Sequence, residues 1–484
     1  MISYENHFID GQWVKPSNAH LKPSIDPYTE TPFAMVTSGG TADDVDRAVM
    51  AARRAFASFS RTSLDERIAL LDRIAAAYEE RVDEISLLMA REVGIPVSAR
   101  AQATGPVGHI RVARDLLRSY SFDKQLDGTI VRREPIGVCA LISPWNWPMQ
   151  TPVIKAIYGI AAGCTVVLKP SDASPITAIV MAEIFEKAGV PQGVFNLVLG
   201  KGREVGAALS IHPEVDMISF TGSTGAGAKV GEAAARTVKR VSLELGGKSA
   251  NIVLKDADIE KAARWNVQRC FFNAGQSCHA PSRMLVHKDQ MDQAVSFLVD
   301  EASRYRLGDP KEAETTMGPV VNQAQFDRIQ RYIQVGIDEG ATLACGGPGK
   351  PDGRNQGYFV RPTVFGNVAP EATIAREEIF GPVLAVTPYS TEAEALDIAN
   401  DSPYGLGGYV FGGDRRRSFE FAAGLRAGRI CFNGAATNSV TPMGGYKQSG
   451  IGRSMGAVGL EEYLEIKSIY GFEDEAGRLP EFAA

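Results

Sequence analysis

The sequence is poor in features that would send it outside the cell, into a membrane or onto a nucleic acid. Its six cysteines contain no CxxC pair and no disulfide-like spacing, which excludes a disulfide-stapled scaffold and predicts a reduced, cytoplasmic protein. Cys139, Cys164 and Cys431 lie in apolar, strand-like runs, where a thiol acts as a small buried hydrophobe. No metal is expected. Basic residues do not exceed acidic ones, 51 against 57, so neither nucleic acid nor an anionic membrane is expected as a partner. The densest basic run, Arg415-Arg416-Arg417, predicts a solvated face. Met1 to Gly11 lacks the basic-then-apolar order of a secretory leader. The longest apolar stretch, Ala156 to Leu168, is broken by Gly159 and Gly163 and is too short to span a bilayer.

What is present is ordinary globular material, and 484 residues of it exceed one core. Two or three domains are expected. Val45, Ala48, Val49, Ala52, Ala55, Phe56 and Phe59 share one helical face, with Thr41 as N-cap and Asp44 three residues on. A second helical period runs from Leu64 to Arg91. From residue 137 short apolar runs recur, each closing on a polar or glycine-rich segment: Gly137–Ile142, Thr165–Leu168, Val194–Leu199, Met217–Phe220 and Arg240–Leu245. Helical segments such as Ser174–Ala188 and Gly225–Thr237 separate most of them. This alternation predicts βαβ units around a buried parallel sheet, with ligands beyond the carboxyl ends of its strands. A second block of the same kind spans about 251–433. Tyr463–Tyr470 reads as a strand that pairs with a hairpin at Asp127-Gly128 and serves a subunit interface.

Several polar segments carry candidate chemistry. Gly222 to Gly227 follows a strand and opens a helix, either a phosphate cradle or a plain tight turn. Lys169 and Asp172 end another strand, as a grip on ribose hydroxyls or as a surface ion pair. Cys278 follows a small polar loop and is flanked by Ser277 and His279; a lone cysteine is more often structural. Glu244, a carboxylate in an apolar strand, is either a general base with a raised pKa or an edge residue facing water. Asn146, held between two tryptophans and two prolines, is either an oxyanion donor or a turn former.

Together these segments resemble the aldehyde dehydrogenase superfamily along essentially the whole chain. The matching motifs are Pro-Trp-Asn-Trp-Pro (144–148), Lys-Pro-Ser-Asp (169–172), Phe-Thr-Gly-Ser-Thr (220–224), Leu-Glu-Leu-Gly-Gly-Lys (243–248), Gly-Gln-Ser-Cys (275–278) and Glu-Glu-Ile-Phe-Gly-Pro (377–382). The resemblance implies an α/β fold with a Rossmann-type cofactor domain (1–118 and 137–246), a second α/β catalytic domain (247–440) and an oligomerisation flap (119–136 and 462–472). It implies Cys278 as nucleophile, Asn146 as oxyanion donor, Glu244 as hydrolytic base and Lys155 as proton relay. It places Ile142, Ser143, Trp145, Lys169, Asp172, Gly222, Ser223, Gly227, Glu378 and Phe380 at the cofactor, NAD in preference to NADP. Trp147, Gln150, Thr151, Ile154, Ser277 and His279 would line a tunnel for a medium aliphatic or aromatic aldehyde, with no arginine among them. A homodimer or homotetramer is expected. A non-oxidative cysteine esterase and a catalytically silent binding protein are the alternatives.

Overall fold

The structure, a computed structural model, describes residues 1–471. The helix whose apolar face begins at Val45 runs Ala42–Phe59, and the Thr41 N–H donates to Asp44 Oδ2 at 2.9 Å. The Leu64–Arg91 period is not one helix. It divides into Leu64–Glu79 and Val82–Val93, because Arg81 leaves helical geometry (φ −108°, ψ 5°) while its guanidinium clasps Glu84 and Glu183. The apolar period resumes in step after the break, so the sequence alone does not reveal it.

The strand–helix alternation builds an eight-stranded sheet. Its five central strands are parallel and lie in the spatial order Phe195–Leu197, Thr165–Lys169, Val138–Ile142, Met217–Thr221 and Arg240–Glu244. Successive residues feed opposite faces. Cys139, Leu141, Val166 and Leu168 join one core with Ile157 and Tyr158, whereas Val138, Ala140 and Val167 join another with Val45, Ala48 and Val49. Both faces are covered, which explains why the strands read as continuous apolar runs. The apolar stretch 156–168 ends one helix, turns at Gly163 (φ 95°) and begins a strand. A side chain there would meet Pro135 at 2.9 Å as well as strain the backbone.

Chain order reverses between Val138–Ile142 and Met217–Thr221, which opens a crevice at the carboxyl ends of the strands. A second sheet of seven strands, all parallel except the edge strand Thr342–Cys345, follows from Ala250. The chain then returns to the first sheet: Gly450–Ile451 pairs antiparallel with Arg240–Glu244, placing Gly450 opposite Glu244. Nothing local in the sequence predicts that return. A third sheet joins Leu464–Ile469 to the hairpin Asp123–Leu126 and Thr129–Pro135. The end of the expected flap, residue 472, lies outside the described residues. A small N-terminal sheet of Ile2–Tyr4, Leu21–Asp26 and Thr31–Thr37 was not anticipated. Arg415, Arg416 and Arg417 are exposed, as the run predicts. Among the described residues no helix is long and apolar enough to cross a membrane.

Candidate active site

The crevice deepens into a cavity of about 560 Å³ between the two large sheets. Cys278 reaches it from the loop after the Ile259–Phe271 helix. Asn273, Ala274 and Gly275 take positive φ values of 54°, 52° and 73°, so the chain coils left-handed just before the thiol. A Cβ at position 275 would lie 2.0 Å from the Gly381 carbonyl oxygen, so only glycine fits. Left-handed Asn and Ala cost on the order of 1–2 kcal/mol each, and buried hydrogen bonds offset that strain. The Asn273 amide donates to the Asn146 carbonyl at 3.0 Å, and Val321 N–H donates to Gln276 Oε1 at 2.9 Å.

Asn146 is buried on the same cavity wall and donates from Nδ2 to the Gln276 carbonyl at 3.0 Å. One N–H thus anchors the cysteine loop, and the amide has a second to offer a ligand. Glu244 ends its strand beneath them. Ser454 Oγ donates to its Oε1 at 3.3 Å, while Oε2 is buried without a partner among the described residues. Burial lifts its pKa to about 7 against the opposing pull of Lys155. Lys155 is itself buried and donates to Ser219 Oγ at 2.7 Å. Burial lowers its pKa to about 8, and Glu244 pulls the other way. Burial, with the carboxylates of Glu378 and Glu244, pushes the Cys278 thiol up to about 12. The thiol is therefore protonated at neutral pH, and a base must take its proton as it attacks.

The sequence-predicted cofactor residues divide by position. Trp145, Gly222, Ser223, Glu378 and Phe380 line the cavity. Trp145 and Phe380 meet edge to face at 5.4 Å, and Glu378 Oε1 accepts from Gly247 N–H at 2.9 Å. Ile142, Ser143, Lys169 and Asp172 lie outside the cavity at the ends of two neighbouring strands. Lys169 and Asp172 pair at 3.0 Å, but Lys169 is buried, so the pair is not the surface ion pair of the second reading. Ser223 caps the Thr224–Ala235 helix. Gly227 does not reach the cavity; a Cβ there would meet Leu245 at 2.3 Å, so this glycine lets the helix sit close on its strand.

The tunnel expectations need two corrections. Ser277 does not line the cavity: it is buried, and its hydroxyl lies 3.4 Å from His279 Nδ1. Arginines are present after all, since Arg269, on the helix that leads into the cysteine loop, and Arg429, on a strand of the second sheet, both reach the wall. Burial and these two guanidiniums hold His279 at a pKa of about 3. Trp147, Gln150, Thr151, Ile154 and His279 do line it. Trp147 stacks on His279 at 5.8 Å and on Phe272 at 5.9 Å, giving a flat apolar surface. Sequence reasoning also missed Gln102 and His109 on the Ala101–Ser119 helix, which carries no motif. Among the described residues no cluster of His, Cys, Asp and Glu is arranged to hold a metal ion.

The aldehyde dehydrogenase family profile matches residues 13–469. The chain belongs to the aldehyde dehydrogenase family. It is 50% identical to 3-succinoylsemialdehyde-pyridine dehydrogenase of a Pseudomonas species, over 98% of this chain and 100% of that one. It superposes with a TM-score of 0.96 on a variant of Pseudomonas syringae aldehyde dehydrogenase C complexed with NAD+ and octanal (48% identity, 97% of each chain). A betaine aldehyde dehydrogenase from Staphylococcus aureus in complex with NAD+ aligns at 0.93 (37% identity, 96% of this chain and 94% of that one). Membership makes the protein an enzyme that oxidises aldehydes, and the esterase and silent-binder alternatives fall away.

Proposed function

We propose that this aldehyde dehydrogenase oxidises its substrate to the free carboxylic acid with NAD, through Cys278. Its strongest support is the meeting of Cys278, Asn146 and Glu244 on the wall of one cavity that opens at the switch point of the sheet. Cys278 Sγ bonds to the carbonyl carbon and its proton leaves to a base. The new oxyanion is held by the free N–H of Asn146 and the Cys278 backbone N–H, a kind of contact worth about 3 kcal/mol. Bound NAD supplies a hydride acceptor, which leaves Cys278 as an acyl thioester. Glu244 takes a proton from water, whose oxygen bonds to the acyl carbon, and the thiol departs with the acid released. Lys155, whose charge lowers the Glu244 pKa while Glu244 raises that of Lys155, is the proposed proton relay.

The residues present fit a dinucleotide. Among the described residues Ser143 Oγ is buried without a partner at a strand end, and a Cβ at Gly225 in the first turn of the Thr224–Ala235 helix would meet nothing within 4 Å. That open helix N-terminus suits a phosphate. Lys169 and Asp172 would hold the adenine ribose, and Glu378 the nicotinamide ribose. Ile142, Ser143, Trp145, Gly222, Ser223 and Phe380 would complete the cofactor contacts. Asp172 carries the charge that repels a 2′-phosphate, which favours NAD over NADP. Asp172→Ser should raise NADP use relative to NAD by roughly tenfold; an unchanged NAD:NADP ratio of kcat/KM would sink the assignment.

We assign 1–118 and 137–246 to a cofactor domain, 247–440 to a catalytic domain, and 119–136 with the terminal strand to an oligomerisation flap. The flap exposes Leu126 (67%) and Ile466 (63%), and each of its outer strands pairs on one edge only among the described residues. A cytoplasmic homodimer or homotetramer follows, in keeping with six free cysteines. Ile466→Lys, or truncation after Glu462, should lower the sedimentation coefficient to that of a smaller assembly. A variant sedimenting like the parent would refute the role of the flap. The flat Trp147 surface suits a medium aliphatic or aromatic aldehyde, in line with the octanal and the pyridine semialdehyde of the relatives' names.

A further inference from the structure

Gln102 and His109 lie seven residues apart on the Ala101–Ser119 helix, which places them on one face, with Gly105 between. All three line the cavity that holds Cys278. Gln102 is 1% exposed and His109 8%, yet both atoms of the Gln102 amide and Nδ1 of His109 have no hydrogen-bond partner among the described residues. Leaving a buried polar atom unpaired costs about 1–3 kcal/mol, and buried polar groups almost always have partners. A stripe that served packing alone would be met as well by leucine and phenylalanine. Gly105 keeps the stripe open: a Cβ there would lie 3.3 Å from Gln150 Oε1 on the facing wall.

We propose that Gln102 and His109 form a polar specificity stripe that reads a neutral hydrogen-bond acceptor, a ketone oxygen or a ring nitrogen, set back along the substrate from its aldehyde group. The proposal rests on the aldehyde-oxidising reading and narrows its substrate class. The Gln102 amide offers two N–H donors to such an acceptor. Burial keeps the His109 pKa low, at about 4, so its imidazole is neutral over the physiological range and offers one donor and one acceptor. A neutral pair suits a neutral partner; a carboxylate would be recognised instead by the guanidiniums of Arg269 and Arg429. A saturated alkyl chain would leave the Gln102 amide and His109 Nδ1 unpaired.

The test measures kcat/KM for octanal, for a series of octanals carrying one ketone at successive positions, and for an aldehyde ending in a carboxylate. Parent enzyme is compared with Gln102→Met, which keeps the side-chain length, and with His109→Phe, each checked by its melting temperature. At the best ketone position the parent should prefer the keto-aldehyde over octanal by roughly ten- to a hundredfold. Each variant should reduce that ratio at least tenfold, mainly through KM. Equal losses on octanal and the keto-aldehydes would make the stripe structural and overturn the proposal. No ketone preference in the parent, or a carboxylate preference abolished by Arg429→Met and not by Gln102→Met, would overturn it too. Failure to oxidise any aldehyde would instead count against the underlying reaction.

Discussion

Replacing Cys278 by serine should abolish aldehyde-dependent NADH formation, a loss of at least about 10⁴-fold. The substitution is nearly isosteric, so the cavity, the loop that carries residue 278 and the melting temperature should be preserved. What disappears is a nucleophile able to form and release an acyl bond. Burial and the carboxylates of Glu378 and Glu244 push the thiol up to about 12, which keeps it protonated at pH 7. The protein therefore depends on deprotonation coupled to attack, and a hydroxyl, harder still to deprotonate, would fail at that step. NADH formation within tenfold of the parent would sink the covalent mechanism. The other five cysteines offer no substitute, since none of them lines the cavity.

Glu244→Gln should separate the two halves of the reaction. Rapid mixing is expected to show a stoichiometric burst of NADH, followed by steady-state turnover lowered by about 10²–10⁴-fold. Loss of the burst as well would place Glu244 earlier, as the base for the thiol. The pH profile gives an independent check. A general base works deprotonated, so turnover limited by hydrolysis should rise with pH through about 7, where the Glu244 carboxyl loses its proton. That limb should vanish in the glutamine variant. Because the Lys155 charge lowers the Glu244 pKa, Lys155→Met should move the limb to higher pH. An unmoved limb would mean that another group titrates.

Much of this site could be read from short segments. Asn146, Lys169, Ser223 and Glu244 each sit where an apolar run gives way to a polar loop, and the strands end within a residue or two of the expected places. Such signals are local, because a strand buried on both faces must be apolar throughout and its ligand-facing end must not be. The Thr41–Asp44 cap was legible for the same reason. Elsewhere local pattern misled. Gly227 shares a glycine-rich turn with Ser223 but is there for close packing against Leu245, and Ser277 sits beside the nucleophile yet does not line the cavity. The break at Arg81 left no mark, since the apolar period continues across it.

The sequence by itself determined the alternating α/β architecture, the reduced state of its thiols and the family to which the chain belongs. Those properties depend on hydrophobic period, on composition and on motifs confined to a few adjacent residues. Only the tertiary structure decided how the nucleophile is held and what surrounds the aldehyde. Gln102 and His109 share one helix, Arg269 lies on a second and Arg429 on a strand, none of them within a motif, and Gly450 returns some two hundred residues later to pair with Glu244. The perturbed pKa values of Cys278 and Glu244 belong to the same class. Burial is their main cause, and burial is created by segments distant in the chain closing over one cavity.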